Sequence, residues 1–152
     1  VMTYNAAISA CEKSEKWQHA CDLLAQMQWC KLEPNVITYG AVISACKKAE
    51  RWQEAFGFLS DMHRIGIERN VVTYSAAISA CVRWQQALTL LAEMQDIELK
   101  PNTITYNAAI SACERGEKWQ QACSLLAAMH HSGLKLDVVT FSAAISACEK
   151  GK

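Results

Sequence analysis

The sequence predicts an all-α fold, a solenoid of stacked antiparallel helix pairs, on three observations. Cys11, Cys46, Cys81, Cys113 and Cys148 each close a Ser-Ala-Cys tripeptide, at gaps of 35, 35, 32 and 35 residues, so the 152-residue chain is an array of repeats. Within each repeat the apolar residues recur at helical rather than strand spacing, in two separate segments. Pro-Asn or a relative of it closes each repeat, and Pro34 and Pro101 bar the preceding helix from continuing. The resulting units are 1–35, 36–70, 71–102 and 103–137, with a partial unit over 138–152, read together as one repeat array.

The first helix of a unit is carried by stretches such as TYNAAISACEK, where Tyr4, Ala7, Ile8 and Cys11 share one face at about 100° per residue. Ala6 and Ala10 flank that stripe with small side chains that let neighbouring helices approach. Thr3, or the Asn that ends the preceding unit, is the expected N-cap. Pro-Asn followed by Val-Ile-Thr-Tyr at residues 34–39 resembles a turn feeding a strand, but the apolar residues after it do not alternate, so it enters a helix. The second helix follows in WQHACDLLAQMQ, which places Trp17, Ala20, Cys21, Leu24 and Met27 along one stripe. Turns of the type KSEK, KAER and RGEK join the two. Trp17, Trp52, Trp84 and Trp119 open the second helices within the apolar stripe, so they are expected to pack between repeats rather than to stack bases.

The third unit reads SACVRWQQA where its neighbours read SACEKSEKWQHA or SACERGEKWQQA, a loss of three residues between the helices. That loss is expected to shorten the first helix or tighten the connection while Ser75, near the helix start, keeps its place. A helix pair cannot bury its apolar faces alone, so the units must stack; the handedness does not follow from the pattern. The chain opens on the first residue of a unit and stops inside another, which is the expectation for a piece of a longer array.

Composition excludes several classes. Hydrophobic residues make up 51% of the chain, enough to bury a core, and 15 Lys plus Arg balance 15 Asp plus Glu, so no global basic field points to a polyanion or an anionic membrane. No apolar run reaches the 18 or so residues of a membrane span. The eight cysteines show no C-x-x-C and no Cys/His pairing at zinc spacing, so they read as small residues in a packing slot of a protein kept reduced, and no cofactor or metal is expected. His19, His63, His130 and His131 share no ligand spacing, and no set of nucleophile, base and orienter recurs, so the chain is not expected to be an enzyme.

What varies lies on the polar face of the first helix. The fifth residue of successive units is Asn5, Gly40, Ser75, Asn107 and Ser142, on a nearly constant background. The residue closing each unit is Asn35, Asn70, Asn102 or Asp137. A cation stands two residues beyond the repeated cysteine, at Lys13, Lys48, Arg83, Arg115 and Lys150. These slots fit a solvated and capped helix face. They also fit a reader of one nucleotide per unit, in which amides and hydroxyls address a base edge, an aliphatic neighbour packs on the base and a cation meets phosphate.

The 35-residue unit, with its Thr-Tyr-Asn opening and Pro-Asn or Asp closure, resembles a pentatricopeptide repeat over the whole chain. The resemblance implies a right-handed superhelix that binds single-stranded RNA one base per repeat, without an enzymatic centre, probing transcripts in an organelle, the chloroplast ahead of the mitochondrion. It implies roles in RNA processing, editing, stability or translation, with other proteins of an RNA-processing complex as further partners. It also implies that the fifth and last residues of a unit jointly select the base, that Met2, Ile37, Val72, Ile104 and Val139 sandwich it, and that Lys13, Lys48, Arg83, Arg115 and Lys150 contact phosphate, with Arg83 the least secure beside the deletion. On that resemblance Asn5 with Asn35 selects a pyrimidine, Gly40 with Asn70 is permissive, Ser75 with Asn102 selects adenine, Asn107 with Asp137 selects uracil, and Ser142 lacks its partner. The carboxylates Glu12, Glu114 and Glu149 share the face with the cations, so binding is expected to be weak and its salt dependence shallow. Two other readings stand beside this one: a peptide-binding helical-repeat scaffold, and the RNA-targeting arm of an enzyme whose catalytic domain lies elsewhere.

Overall fold

A computed structural model describes residues 1–151, in which every regular element is a helix, in the order α1 (Met2–Lys13), α2 (Trp17–Trp29), α3 (Val36–Lys48), α4 (Trp52–Arg64), α5 (Val71–Ala80), α6 (Trp84–Asp96), α7 (Thr103–Arg115), α8 (Trp119–His131) and α9 (Val138–Lys150). Odd-numbered helices are the first helices of the repeats and even-numbered ones the second. The chain divides into two compact units, Val1–Ala80 and Cys81–Lys152, with the seam inside the shortened third repeat that the sequence reads as part of one array.

In the first unit α1, α3 and α5 lie side by side as one layer, with α2 and α4 packed behind them. The middle helix α3 shows what the first-helix pattern is for: Tyr39, Val42, Ile43 and Cys46 have no exposed surface, and Ala41 and Ala45 fill the close approaches. Phe58 meets the Tyr39 ring edge-on at 6.3 Å, and Gln28 Nε2 donates to the Tyr39 hydroxyl at 3.3 Å. In the second unit α7 and α9 form the corresponding layer, with α6 and α8 behind. Here Tyr106, Ala109, Ile110 and Cys113 are buried. Each second helix buries one Ala-Leu-Met stripe, as in Ala20, Leu24 and Met27 or Ala55, Leu59 and Met62.

The caps explain where the helices start. Asn35, Asn102 and Asp137 stand in extended backbone and accept from the N–H of the third helical residue, which in each case is a threonine. Of the two expected caps, the unit-closing Asn or Asp therefore takes the role, and the threonine completes the box by accepting from the cap's own N–H. Thr38, Thr73, Thr105 and Thr140 are consequently buried.

Helix ends between and after the pairs turn through left-handed residues. Glu15, Glu50 and Glu117 sit at φ 59°, 53° and 55° in the first connection, and Lys31, Gly66, Glu98 and Gly133 at φ 55°, 76°, 60° and 71° in the second. Each second connection closes with a backbone bond back to the buried methionine carbonyl, as from Leu32 N–H to Met27 at 3.0 Å.

Trp17, Trp84 and Trp119 meet the following repeat, as their position in the stripe implies. The Arg51 guanidinium lies 4.5 Å over the Trp17 ring and the Lys118 ammonium 5.8 Å over Trp84. Gly116 meets Trp84 so closely that a Cβ there would stand 2.4 Å from its Cδ1. The three-residue loss falls on the first helix: α5 has 10 residues against 13 in α3.

The repeated cysteine is the small buried residue expected in the interior, with Cys46, Cys81 and Cys113 buried and burial pushing the Cys81 and Cys113 thiols up to about 11. On the outermost helices the slot opens, and Cys148 is exposed.

Candidate nucleic-acid interface

Burial alone would hide a large aliphatic side chain, yet the second residue of every repeat is exposed: Met2 87%, Ile37 62%, Val72 68%, Ile104 62% and Val139 60%. In the first unit Ile37 and Val72 frame a groove of about 400 Å³ whose lining includes Gly40, Asn70, Ser44 and Glu12. With no side chain at Gly40 the groove stays open, and a Cβ there would touch only Thr73 Cγ2, at 3.9 Å.

The fifth residue of a repeat and the residue that closes it meet at a threonine of the following repeat. Asn5 Oδ1 lies 2.6 Å from Thr38 Oγ1, and Asn35 Oδ1 lies 3.1 Å from the same oxygen. Asn107 Oδ1 and Asp137 Oδ1 both lie 2.7 Å from Thr140 Oγ1. Hydrogen bonds from the Thr140 hydroxyl and backbone hold the Asp137 carboxyl below the usual carboxylate range. After the repeat that has glycine at its fifth position, Thr73 Oγ1 of the following repeat instead donates to the backbone carbonyl of Asn70 at 2.9 Å. Asn5 and Asn107 are half-buried, Ser75 is buried, and Ser142 is exposed on α9. Asn102 accepts from Thr105 N–H at 2.9 Å as the cap of α7.

The five cations differ in what surrounds them. Lys13 and Lys48 end α1 and α3 on the surface, with no ion-pair partner among the described residues. Arg83 is displaced from the first helix altogether, because α5 ends early and Arg83 becomes the N-cap residue of α6, its N–H donating to Gln86 Oε1 at 3.3 Å. Arg115 Nη2 donates to the Cys81 carbonyl at 2.8 Å. Lys150 Nζ lies 3.0 Å from Glu114 Oε1.

That carboxylate belongs to a contact between repeats that spacing within a unit does not reveal. Glu114 Oε1 also accepts from Ser146 at 2.6 Å, and Glu12 Oε1 accepts from Ser44 at 2.7 Å. In both cases position 12 of one repeat reaches position 9 of the next. Ser146 first and Lys150 second keep the Glu114 carboxyl below its ordinary range. The signal was present as Glu at position 12 and Ser at position 9, but a contact between different repeats has no periodicity of its own inside one helix. The threonine is equally visible, in the third slot of every unit, but the sequence offers it only as a cap.

Among the described residues no group of three or more His, Cys, Asp or Glu could hold a metal, and no helix is long and apolar enough to cross a membrane.

Helix pairs in 35-residue steps, with an exposed aliphatic ladder beside paired polar slots, define a helical-repeat protein of the all-α solenoid class. Residues 1–48, 34–83 and 101–150 match the PPR repeat family, and the chain belongs to it. No curated protein matches the chain. Its fold is that of PPR10 in complex with an 18-nt psaJ RNA element, at TM-score 0.85 and 23% identity, over 96% of this chain and 22% of that one. It also matches the PPR domain of Arabidopsis thaliana protein-only RNase P 1 in complex with tRNA, at TM-score 0.81 and 14% identity over 96% of this chain and 82% of that one. Nuclear proteinaceous RNase P 2 from A. thaliana aligns at TM-score 0.79 and 14% identity, over 96% of this chain and 34% of its own length. The chain thus spans about a fifth of the PPR10 chain it resembles.

Proposed function

We propose that this chain binds single-stranded RNA with sequence preference, one base to a repeat, as a module without catalytic chemistry of its own in organellar RNA metabolism. The observation that carries the reading is the coincidence of two features in the first and fourth repeats. An aliphatic side chain that folding leaves exposed stands beside a pair of polar side chains converging on one hydroxyl. An exposed aliphatic can pack on a base face, and the polar pair can address the base edge, which is how unstacked single strands are recognised. PPR10 and the RNase P 1 PPR domain were each solved with RNA bound, and this chain shares their fold.

In this reading Asn5 with Asn35 takes a pyrimidine, Gly40 with Asn70 tolerates any base, and Asn107 with Asp137 takes uracil. Met2, Ile37, Val72, Ile104 and Val139 sandwich the bases, while Lys13 and Lys48 carry most of the phosphate contact. Arg83, Arg115 and Lys150 contribute little, because each is drawn away by its place in the fold or by a protein partner.

Fluorescence anisotropy with short labelled oligonucleotides tests the reading. Single-stranded RNA is expected to bind and the corresponding duplex is not. Binding that ignores both strandedness and base identity would contradict it.

A further inference from the structure

A threonine hydroxyl carries one proton, yet Thr38 and Thr140 each face two side-chain amide or carboxylate oxygens. One of the two must be satisfied some other way, and the two repeats resolve the conflict differently. At Thr38, Asn35 Oδ1 already accepts from the Ile37 and Thr38 N–H groups at 3.0 and 3.1 Å, and Asn5 Oδ1 is the nearer oxygen at 2.6 Å. The proton goes to Asn5, whose amide NH2 then points away from the threonine.

At Thr140 Asp137 Oδ1 likewise already accepts from the Thr140 N–H, at 2.8 Å, but the two oxygens are equidistant from the hydroxyl at 2.7 Å and that of Asp137 belongs to a carboxylate. An ionised acceptor forms the stronger bond and takes the proton. The amide of Asn107 has a donor at its other end, and turning it over lets Nδ2 donate to the Thr140 oxygen, leaving its carbonyl pointing away from the threonine. The Thr140 oxygen has the lone pairs for this, since its one other donor is the Asp137 N–H at 3.4 Å. The glycine repeat is the internal comparison: with no fifth side chain present, the Thr73 hydroxyl turns away to a backbone carbonyl.

We propose that the buried threonine at the third position of the following repeat is a positioning residue that sets which end of the fifth-residue amide is left to face a base. Asn5 thereby presents an N–H donor and Asn107 a carbonyl acceptor. The same residue type at the fifth position thus reads opposite hydrogen-bond polarities, because the residue closing the repeat acts on it through the threonine. Resting on the RNA-binding reading above, this assigns a base whose ring N3 accepts, cytosine, to Asn5, and one whose N3 donates, uracil, to Asn107.

The first test needs no RNA. In asparagine-15N-labelled protein the Asn107 side-chain amide is expected to keep one slowly exchanging proton, and the Asn5 amide none. Asp137→Asn, which keeps a good helix cap, should reduce Asn107 to the behaviour of Asn5. Equal exchange of Asn5 and Asn107 in the unaltered chain overturns the inference. The second test is the ratio of uracil to cytosine affinity opposite the fourth repeat. Thr140→Val should bring that ratio toward one and Thr140→Ser should preserve it, whereas a purely structural threonine would weaken both RNAs equally and leave the ratio unchanged. Absence of any RNA binding by the unaltered chain sinks the functional reading alone, since the exchange result stands independently of it.

Discussion

Lys31 and Glu98 occupy the same left-handed position that Gly66 and Gly133 fill in the other two repeats. A side chain there costs about 1–2 kcal/mol, against which glycine loses some 0.5–1 kcal/mol of chain entropy. Lys31→Gly is therefore expected to stabilise the protein by about 0.5–1 kcal/mol, read as a rise in the urea midpoint at unchanged slope. The opposite sign belongs to Gly116, where a Cβ would stand 2.4 Å from the Trp84 ring: Gly116→Ala should cost about 1–3 kcal/mol by the same measurement. Asp137 sets a pH dependence. Its carboxyl titrates lower in the folded chain than in the unfolded one, chiefly through the Thr140 hydroxyl. Its stabilising contribution is present above the ordinary aspartate value of about 3.9 and is lost as pH falls through the lower folded value. Acid unfolding of the unaltered chain should thus be steeper below about pH 4 than that of Asp137→Asn, followed by circular dichroism. None of these residue-scale effects is apparent in the one-dimensional pattern, because the Pro-Asn closure reads as punctuation until the cap and its proton partners are seen together.

Among the helices, those that repeat faithfully were the most legible. The stripe of Tyr, Ala, Ile and Cys predicts a helix face that α3 buries completely, and Trp17, Trp84 and Trp119, at the heads of second helices, meet the following repeat as their company of Ala, Leu and Met implies. What could not be read was the consequence of a local loss. The three missing residues end α5 at Ala80, which moves Arg83 from the first helix to the start of α6. In the second unit the Cys81 carbonyl is met by Arg115. A cation assigned to phosphate by its count from a cysteine is thereby held by a backbone oxygen. Lys150 is held in the same way, by a carboxylate one repeat earlier. Sequence spacing assigns such residues to a face, but competition between a protein partner and an external one is decided only by the packing of adjacent repeats.

For the whole molecule, the charge balance and these internal partners set how strongly a polyanion can be held. Fifteen basic residues offset fifteen acidic ones, and of the five cations expected at phosphates Arg115 and Lys150 have protein partners and Arg83 has left the first helix, while Lys13 and Lys48 end first helices on the surface. Two phosphate contacts on a single strand correspond to a slope of log affinity against log salt of about −1.4, and Lys48→Ala should halve it. The measurement that bears most directly on the central claim is a competition titration of the unaltered chain with four single-stranded RNAs that differ only in the base opposite the fourth repeat. The uracil RNA is expected to compete best; equal competition by all four, or by the duplex as well, would contradict base reading by Asn107 and Asp137.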